Sequence, residues 1–241
     1  MTDAELAARL AQTLGPILER VREAKLFEPD GLGRVGDQIA DRYLINALRE
    51  HRPDDGIICE EMRERPRRLE KSRVWIVDPI DGTREFAEGR ADWAIHVGLA
   101  IDGDAAIGAV GMPCLDGGVV FRSDRPVELA PRHAAPRIVV SRTRPPEEAS
   151  NIAARIGGSI VPMGSAGAKA MAVIRGEADI YLHSGGMSEW DSCAPVAVAQ
   201  AHRLHCSHLD GSPLRYNRGD LSMSDLLICR PEWAKPVLDA F

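Results

Sequence analysis

The stretch Trp75-Ile76-Val77-Asp78-Pro79-Ile80-Asp81-Gly82-Thr83-Arg84-Glu85-Phe86 decides how this chain reads. Val74 to Val77 is β-branched and aromatic, the composition of a buried strand. Two carboxylates follow, three residues apart, held by Pro79 and trailed by Gly82-Thr83. A strand end can aim both at one point. Two carboxylates aimed together repel unless a cation lies between them, and hard cations such as Mg²⁺ prefer oxygen ligands. Gly82 allows close backbone approach and Thr83 brings a hydroxyl. The combination suits metal-assisted phosphoryl transfer.

Working outward, the apolar stripe Leu6, Leu10, Leu14, Ile17, Leu18, Val21 predicts a helix over 4–24. Residues 31–36 read as a loop, and 37–50 as a second helix with Asp37 near its start, where an acid caps free amides. Ile57 to Cys59 is a short strand ending at Glu60-Glu61, and 63–73 is a charged surface loop. Segments 93–101, 105–112 and 117–122 read as antiparallel strands. The polar stretch 122–137 is a candidate lobe boundary. Beyond it, strands at 138–141, 159–163 and 178–183 alternate with helices at 146–156, 166–175 and 192–200. A hairpin-like tail surrounds Asp210-Gly211. Alternation of this kind points to α/β organisation in the second half and α+β in the first.

The chain has 241 residues, of which 44% are apolar, enough for one large domain or two lobes. A net charge of −6 argues against a nucleic-acid polymer as partner. It leaves room for a small anionic substrate, because bound cations reverse the local sign. No stretch approaches a membrane span. Asp3 and Glu5 stand where a secretory leader needs a basic start and an apolar run. Five scattered cysteines, Cys59, Cys114, Cys193, Cys206 and Cys229, read as reduced thiols of a cytoplasmic protein.

Glu60, Asp78, Asp81 and Asp191 each follow or adjoin an apolar stretch, so they can converge on a cleft. Singly, each would read as a helix cap or a surface carboxylate. With the Asp-Pro-Ile-Asp-Gly-Thr core, a metal site is the expectation. Gly164-Ser165-Ala166-Gly167-Ala168-Lys169 opens a helix, whose free amides suit an anion. His202-x-x-His205-Cys206-x-His208 has soft-metal residue types, but its spacing matches no common zinc pattern. Exposed histidines on a hairpin account for it. Arg142 and Arg144 are either solvated loop residues or partners for a second phosphate.

Three signatures in order, Glu60-Glu61, Val77 to Thr83, and Glu189-Trp190-Asp191-Ser192-Cys193-Ala194-Pro195, resemble the lithium-sensitive, magnesium-dependent phosphatases related to inositol monophosphatase. The resemblance covers nearly the whole chain. It is nearest to the 3′(2′),5′-bisphosphate nucleotidases of the CysQ type, which carry a basic residue and Glu where Arg84-Glu85 follows Gly-Thr. Tyr181-Leu182-His183 and 210–217 add to it. Two positions depart from the pattern. Val35-Gly36-Asp37 lacks the family's threonine, and Cys59 stands where Ser or Gly is usual.

The resemblance implies a layered αβαβα sugar-phosphatase fold in two lobes. Lobe 1–130 would carry most metal ligands, and lobe 131–241 the substrate-binding residues and the last ligand. It implies two or three Mg²⁺ held by Glu60, Asp78, the Ile80 carbonyl, Asp81 and Asp191. Asp37, Thr83 and Glu60 would activate water for direct attack. Gly82, Thr83, Arg84, Arg142, Gly164, Ser165, Lys169, His183, Arg215 and Tyr216 would bind a small phosphorylated nucleotide, with loss of its 3′-phosphate, in a role linked to sulfate assimilation. A homodimer is implied as well. Inositol monophosphatase or fructose-1,6-bisphosphatase activity is the alternative on the same site. A non-catalytic metal or nucleotide sensor is the remote one.

Overall fold

The first sheet of the computed structural model has the order β1-β2-β3-β4-β5: Gly56–Cys59, Arg73–Asp81, Ala94–Ile101, Asp104–Met112 and Val119–Arg122. Only β1 and β2 are parallel. The structure describes residues 1–62, 66–131 and 133–241. Of the charged loop expected over 63–73, residues 63–65 lie outside the described residues. Pro66–Glu70 winds a short 3-10 helix, and Arg73 already belongs to β2. Residue 132, within the expected lobe boundary, also lies outside them.

Strand β2 explains the unbroken apolar run in the sequence. Trp75 and Val77 pack into one core with helices α1 (Asp3–Glu23) and α2 (Pro29–His51). Val74 and Ile76 face the opposite core with α5 (Ala166–Ile174) and α6 (Glu189–Ala201). A strand covered on both faces has no solvent side to mark with polar residues.

The second sheet has the order β7-β6-β8-β10-β9: Ser159–Met163, Arg137–Ser141, Ile180–Ser188, Ser222–Cys229 and His205–Ser207. Its parallel pairs are β6 with β7 and β6 with β8. α4 (Ala149–Ile156) and α7 (Pro231–Leu238) cover its outer face through Ile152, Ala153 and Val237. The layers therefore run helix pair, sheet, helix pair, sheet, helix pair. This is the expected αβαβα architecture.

Two elements differ from the sequence reading. Residues 31–36 are not a loop, because α2 is continuous from Pro29 and Asp37 lies inside it rather than at its cap. The glycines serve close packing. A Cβ at Gly36 would come 2.7 Å from Phe86 and 2.9 Å from Ile80. The tail after 210 is not a simple hairpin, since β10 and α7 complete the second sheet and its outer layer.

Candidate active site

Strand β2 bends at its end. Its register with β3 shifts between Asp78, opposite His96, and Asp81, opposite Ala94, and this irregularity turns the strand end that carries both acids. Gly82 then takes a left-handed conformation, φ 92°, and caps the short helix α3 (Thr83–Ala87). This corner forms the floor of a cleft of about 980 Å³. Asp191 joins it from the first turn of α6, where its carboxylate accepts the Ser188 amide at 2.6 Å. One oxygen each from Asp78, Asp81 and Asp191 lies within 4.8 Å of the others. Among the described residues this is the acidic group placed to hold a cation.

The electrostatics of the group are uneven. Burial, then the charges of Asp81 and Glu60, pushes Asp78 well above the usual carboxylate range. Burial and Asp81 push Asp191 up to about 6. Glu60 keeps a solvent-exposed face, yet partial desolvation, then Asp191 and Glu61, pushes it up to about 7. Asp81 goes the other way. Burial alone would raise it, but His96, Lys169 and Ser165 outweigh that and hold it well below the usual range. Its oxygens accept the Ser165 hydroxyl, the Ala166 amide at 3.1 Å and the Gly167 amide at 2.6 Å. The buried His96 ring places Nε2 3.1 Å from Asp81, an ionic contact rather than an aligned hydrogen bond, and Nδ1 3.0 Å from the Trp190 carbonyl.

Crowded, partly protonated carboxylates are costly to ionise together. A hard divalent cation relieves that cost, so this all-oxygen donor set fits Mg²⁺. The Ile80 carbonyl opens on the same corner and accepts the Thr83 hydroxyl at 3.1 Å. Thr83 Oγ1 also lies 3.4 Å from Asp37 Oδ1. Burial and the Glu61 charge push Asp37 up to about 7. Thus Asp37 reaches Thr83 although the family's threonine is missing before it. The small residues of α2 let that helix ride close over α3.

Glu60, Arg84, Arg142, Gly164, Ser165, Lys169 and His183 also line the cleft. Ser165 is held at φ 53°, a conformation rare for a residue with a side chain, where it caps α5 and bonds Asp81. Lys169 is buried and donates to the Ser165 carbonyl at 2.5 Å. Burial lowers its pKa to about 8. His183 is held below its ordinary value by burial, then by the charges of Lys169 and Arg144. Arg142 does not stand free. It pairs with Glu85 at 3.3 Å and with Asp92.

Arg215 and Tyr216 are not brought to the cleft. Arg215 pairs with Asp104 at the start of β4, and Tyr216 is buried with its hydroxyl 3.2 Å from Ser192 Oγ. Their partners are more than twenty residues away in sequence and invisible to local pattern. The His/Cys cluster does not converge either. His202 is buried, not exposed, and accepts the Val127 amide at 3.0 Å, while His205 and His208 bond Ser207 and Asp225. Sequence reasoning missed His96, Asp92 and the role of Glu85. A histidine inside the apolar run 93–101 was the available signal for the first.

The inositol monophosphatase family model matches residues 3–236. The chain is 45% identical over 252 residues to the 3′-phosphoadenosine 5′-phosphate phosphatase of Mycobacterium leprae (strain TN), covering 99% of this chain and 92% of that one. It is 47% identical over 236 residues to the protein of the same name from Mycobacterium tuberculosis (strain CDC 1551 / Oshkosh), covering 94% and 88%. The crystal structure of CysQ from Bacteroides thetaiotaomicron superposes with a TM-score of 0.81 at 22% identity, over 95% of this chain and 97% of that one. That last likeness concerns the fold, whereas the family match and the mycobacterial identities span the acidic corner and the cleft walls together, and on them the chain belongs to the inositol monophosphatase family.

Proposed function

We propose that this protein is a phosphoric monoester hydrolase that removes the 3′-phosphate of adenosine 3′,5′-bisphosphate, with the sulfated form, 3′-phosphoadenosine 5′-phosphosulfate, as a second substrate. The carrying observation is the convergence of Asp78, Asp81 and Asp191 within 4.8 Å on the floor of a cleft with arginines in its wall. The 45% and 47% identity to mycobacterial 3′-phosphoadenosine 5′-phosphate phosphatases supports the substrate class.

Asp78, Asp81 and Asp191 would hold Mg²⁺, with Glu60 and the Ile80 carbonyl completing sites for two or three ions. When bound, the ions supply Lewis acidity, which acidifies water and neutralises charge on the leaving oxygen. Thr83 orients the attacking water. Asp37, with its pKa near 7, takes up the released proton through Thr83. The Gly82 and Thr83 amides cradle the transferred phosphate. No side chain serves as a covalent nucleophile. The same proposal includes a metal-bearing lobe 1–130, a substrate lobe 131–241, a homodimer, a cytoplasmic location and a role in sulfate assimilation.

The test is phosphate release from adenosine 3′,5′-bisphosphate, inositol monophosphate and fructose 1,6-bisphosphate, with and without Mg²⁺. The highest kcat/KM belongs to the nucleotide. A preference for either sugar phosphate overturns the substrate assignment.

A further inference from the structure

A nucleotide bisphosphate brings a second phosphate that the acidic corner cannot hold. That group needs a cation elsewhere in the cleft. The lining offers Arg84, Arg142, Arg144, Lys169 and the imidazole of His183. Most of these are already committed. Arg142 is neutralised between Glu85 and Asp92, and Asp92 in turn accepts the Gly164 amide at 2.7 Å. Lys169 is buried under Tyr181 and bonded to the Ser165 carbonyl. His183 donates through Nε2 to the Gly186 carbonyl at 3.0 Å, and burial holds its pKa below the ordinary value.

Arg84 and Arg144 differ from the rest. Both are exposed, both line the cleft, and among the described residues neither guanidinium makes an ion pair or a side-chain hydrogen bond. Arg84 stands on α3, directly after the Gly82-Thr83 corner. Arg144 stands on the facing wall, in the loop that follows β6, tied only through its own amide to Ser141 Oγ at 3.2 Å. The 3.3 Å pair between Glu85 and Arg142 joins the two walls. The free guanidiniums therefore flank a bridge whose own charges cancel. A planar fork with unused donors is the side chain that grips phosphate oxygens best.

We propose that Arg84 and Arg144 form a clamp for the second, non-reacting phosphate of the substrate, and that Arg142 is a strut that sets the clamp's span. The clamp rests on the bisphosphate reading of the site. It makes the 5′-phosphate the determinant that separates a nucleotide bisphosphate from a monophosphorylated polyol.

The experiment compares adenosine 3′,5′-bisphosphate with adenosine 3′-monophosphate, which presents the same reacting group without the second phosphate. R84A and R144A are each expected to lose roughly ten- to hundredfold in kcat/KM on the bisphosphate, and less than about threefold on the monophosphate. The inhibition constant of adenosine 5′-monophosphate, which keeps only the clamped group, rises in parallel. That of inorganic phosphate stays unchanged. R142A, by contrast, loses on both substrates alike and melts lower. An unchanged bisphosphate rate in either R84A or R144A, or equal losses on both substrates, overturns the clamp while leaving the proposed function standing. A wild-type enzyme that hydrolyses inositol monophosphate but not adenosine 3′,5′-bisphosphate overturns both.

Discussion

The Gly167 amide donates to the Asp81 carboxylate at 2.6 Å, so the helix packed between the two sheets begins on a candidate metal ligand carried by the first sheet. Asp81 is thus both a candidate ligand and the acceptor that fixes the Ser165–Gly167 turn. The acidic corner and the facing cleft wall are set by one carboxylate.

Asp81→Asn is therefore expected to act twice. It lowers kcat by at least about a hundredfold, because charge stabilisation in the transition state is weakened. It also costs about 1.5–3 kcal/mol in urea unfolding, because an amide NH₂ would face donors that now point at an ionised oxygen. Asp78→Asn is the comparison, since among the described residues its carboxylate accepts one backbone amide, that of Ile80 at 3.1 Å, and otherwise meets the Glu60 carboxyl. It should lose activity with a smaller stability change. Equal stability of Asp81→Asn and wild type would remove the capping role.

Metal-free protein should lose stability as pH rises from about 4 to about 7. Glu60 and Asp37 are raised to about 7 and Asp191 to about 6. In that window the folded state keeps protons that the unfolded chain, with carboxylates near 4, has released. Stability is then fully present at low pH and declines through the folded values. Asp81, held below its ordinary value, contributes the opposite slope only in more acidic solution. Thermal melts in EDTA should show the decline, and Mg²⁺ should abolish it. A flat profile in EDTA contradicts the crowding of carboxylates described above.

Activity should require Mg²⁺ and fall with Li⁺ and with excess Ca²⁺. Li⁺ enters a small oxygen site with half the charge, and Ca²⁺ relaxes the geometry that Mg²⁺ imposes. Phosphate release after dialysis against EDTA is the measurement. Full activity there rejects a metal-assisted reaction.

How far the sequence carried depended on whether a residue's partners were local. The run Val74 to Asp81 announced β2 and both acids, since apolar strand and carboxylates are contiguous. The segments 93–101 and 105–112 announced β3 and β4 in the same way. Gly33 and Gly36 misled, because their glycine character answers close helix packing, Gly33 against Thr83 and Ala87 and Gly36 against Phe86 and Ile80, rather than a turn. Helix α7 was hidden by Pro231 and Pro236, although a proline at the first helical position is compatible with a helix. Arg215 looked like a cleft residue until Asp104, far away in sequence, proved to hold it. His96 was passed over because its meaning lies in Asp81 and Trp190, on other elements.

All five cysteines are free. Cys59 and Cys193 flank candidate ligands, yet burial pushes both thiols far above their ordinary value, and Cys59 donates to Asp41 at 3.1 Å. Neither should react with a bulky disulfide reagent until the chain unfolds. Any labelling of native protein should fall first on the half-buried Cys114 or Cys206, with activity retained. Inactivation that tracks labelling of Cys59 or Cys193 would show that the corner opens.

The most direct measurement is the fate of adenosine 3′,5′-bisphosphate in ¹⁸O-water with Mg²⁺, followed by ³¹P NMR. Water attack on the 3′-phosphate predicts inorganic phosphate carrying one ¹⁸O and adenosine 5′-monophosphate carrying none. Adenosine 3′-monophosphate as the product, or no release from this substrate, would contradict the account.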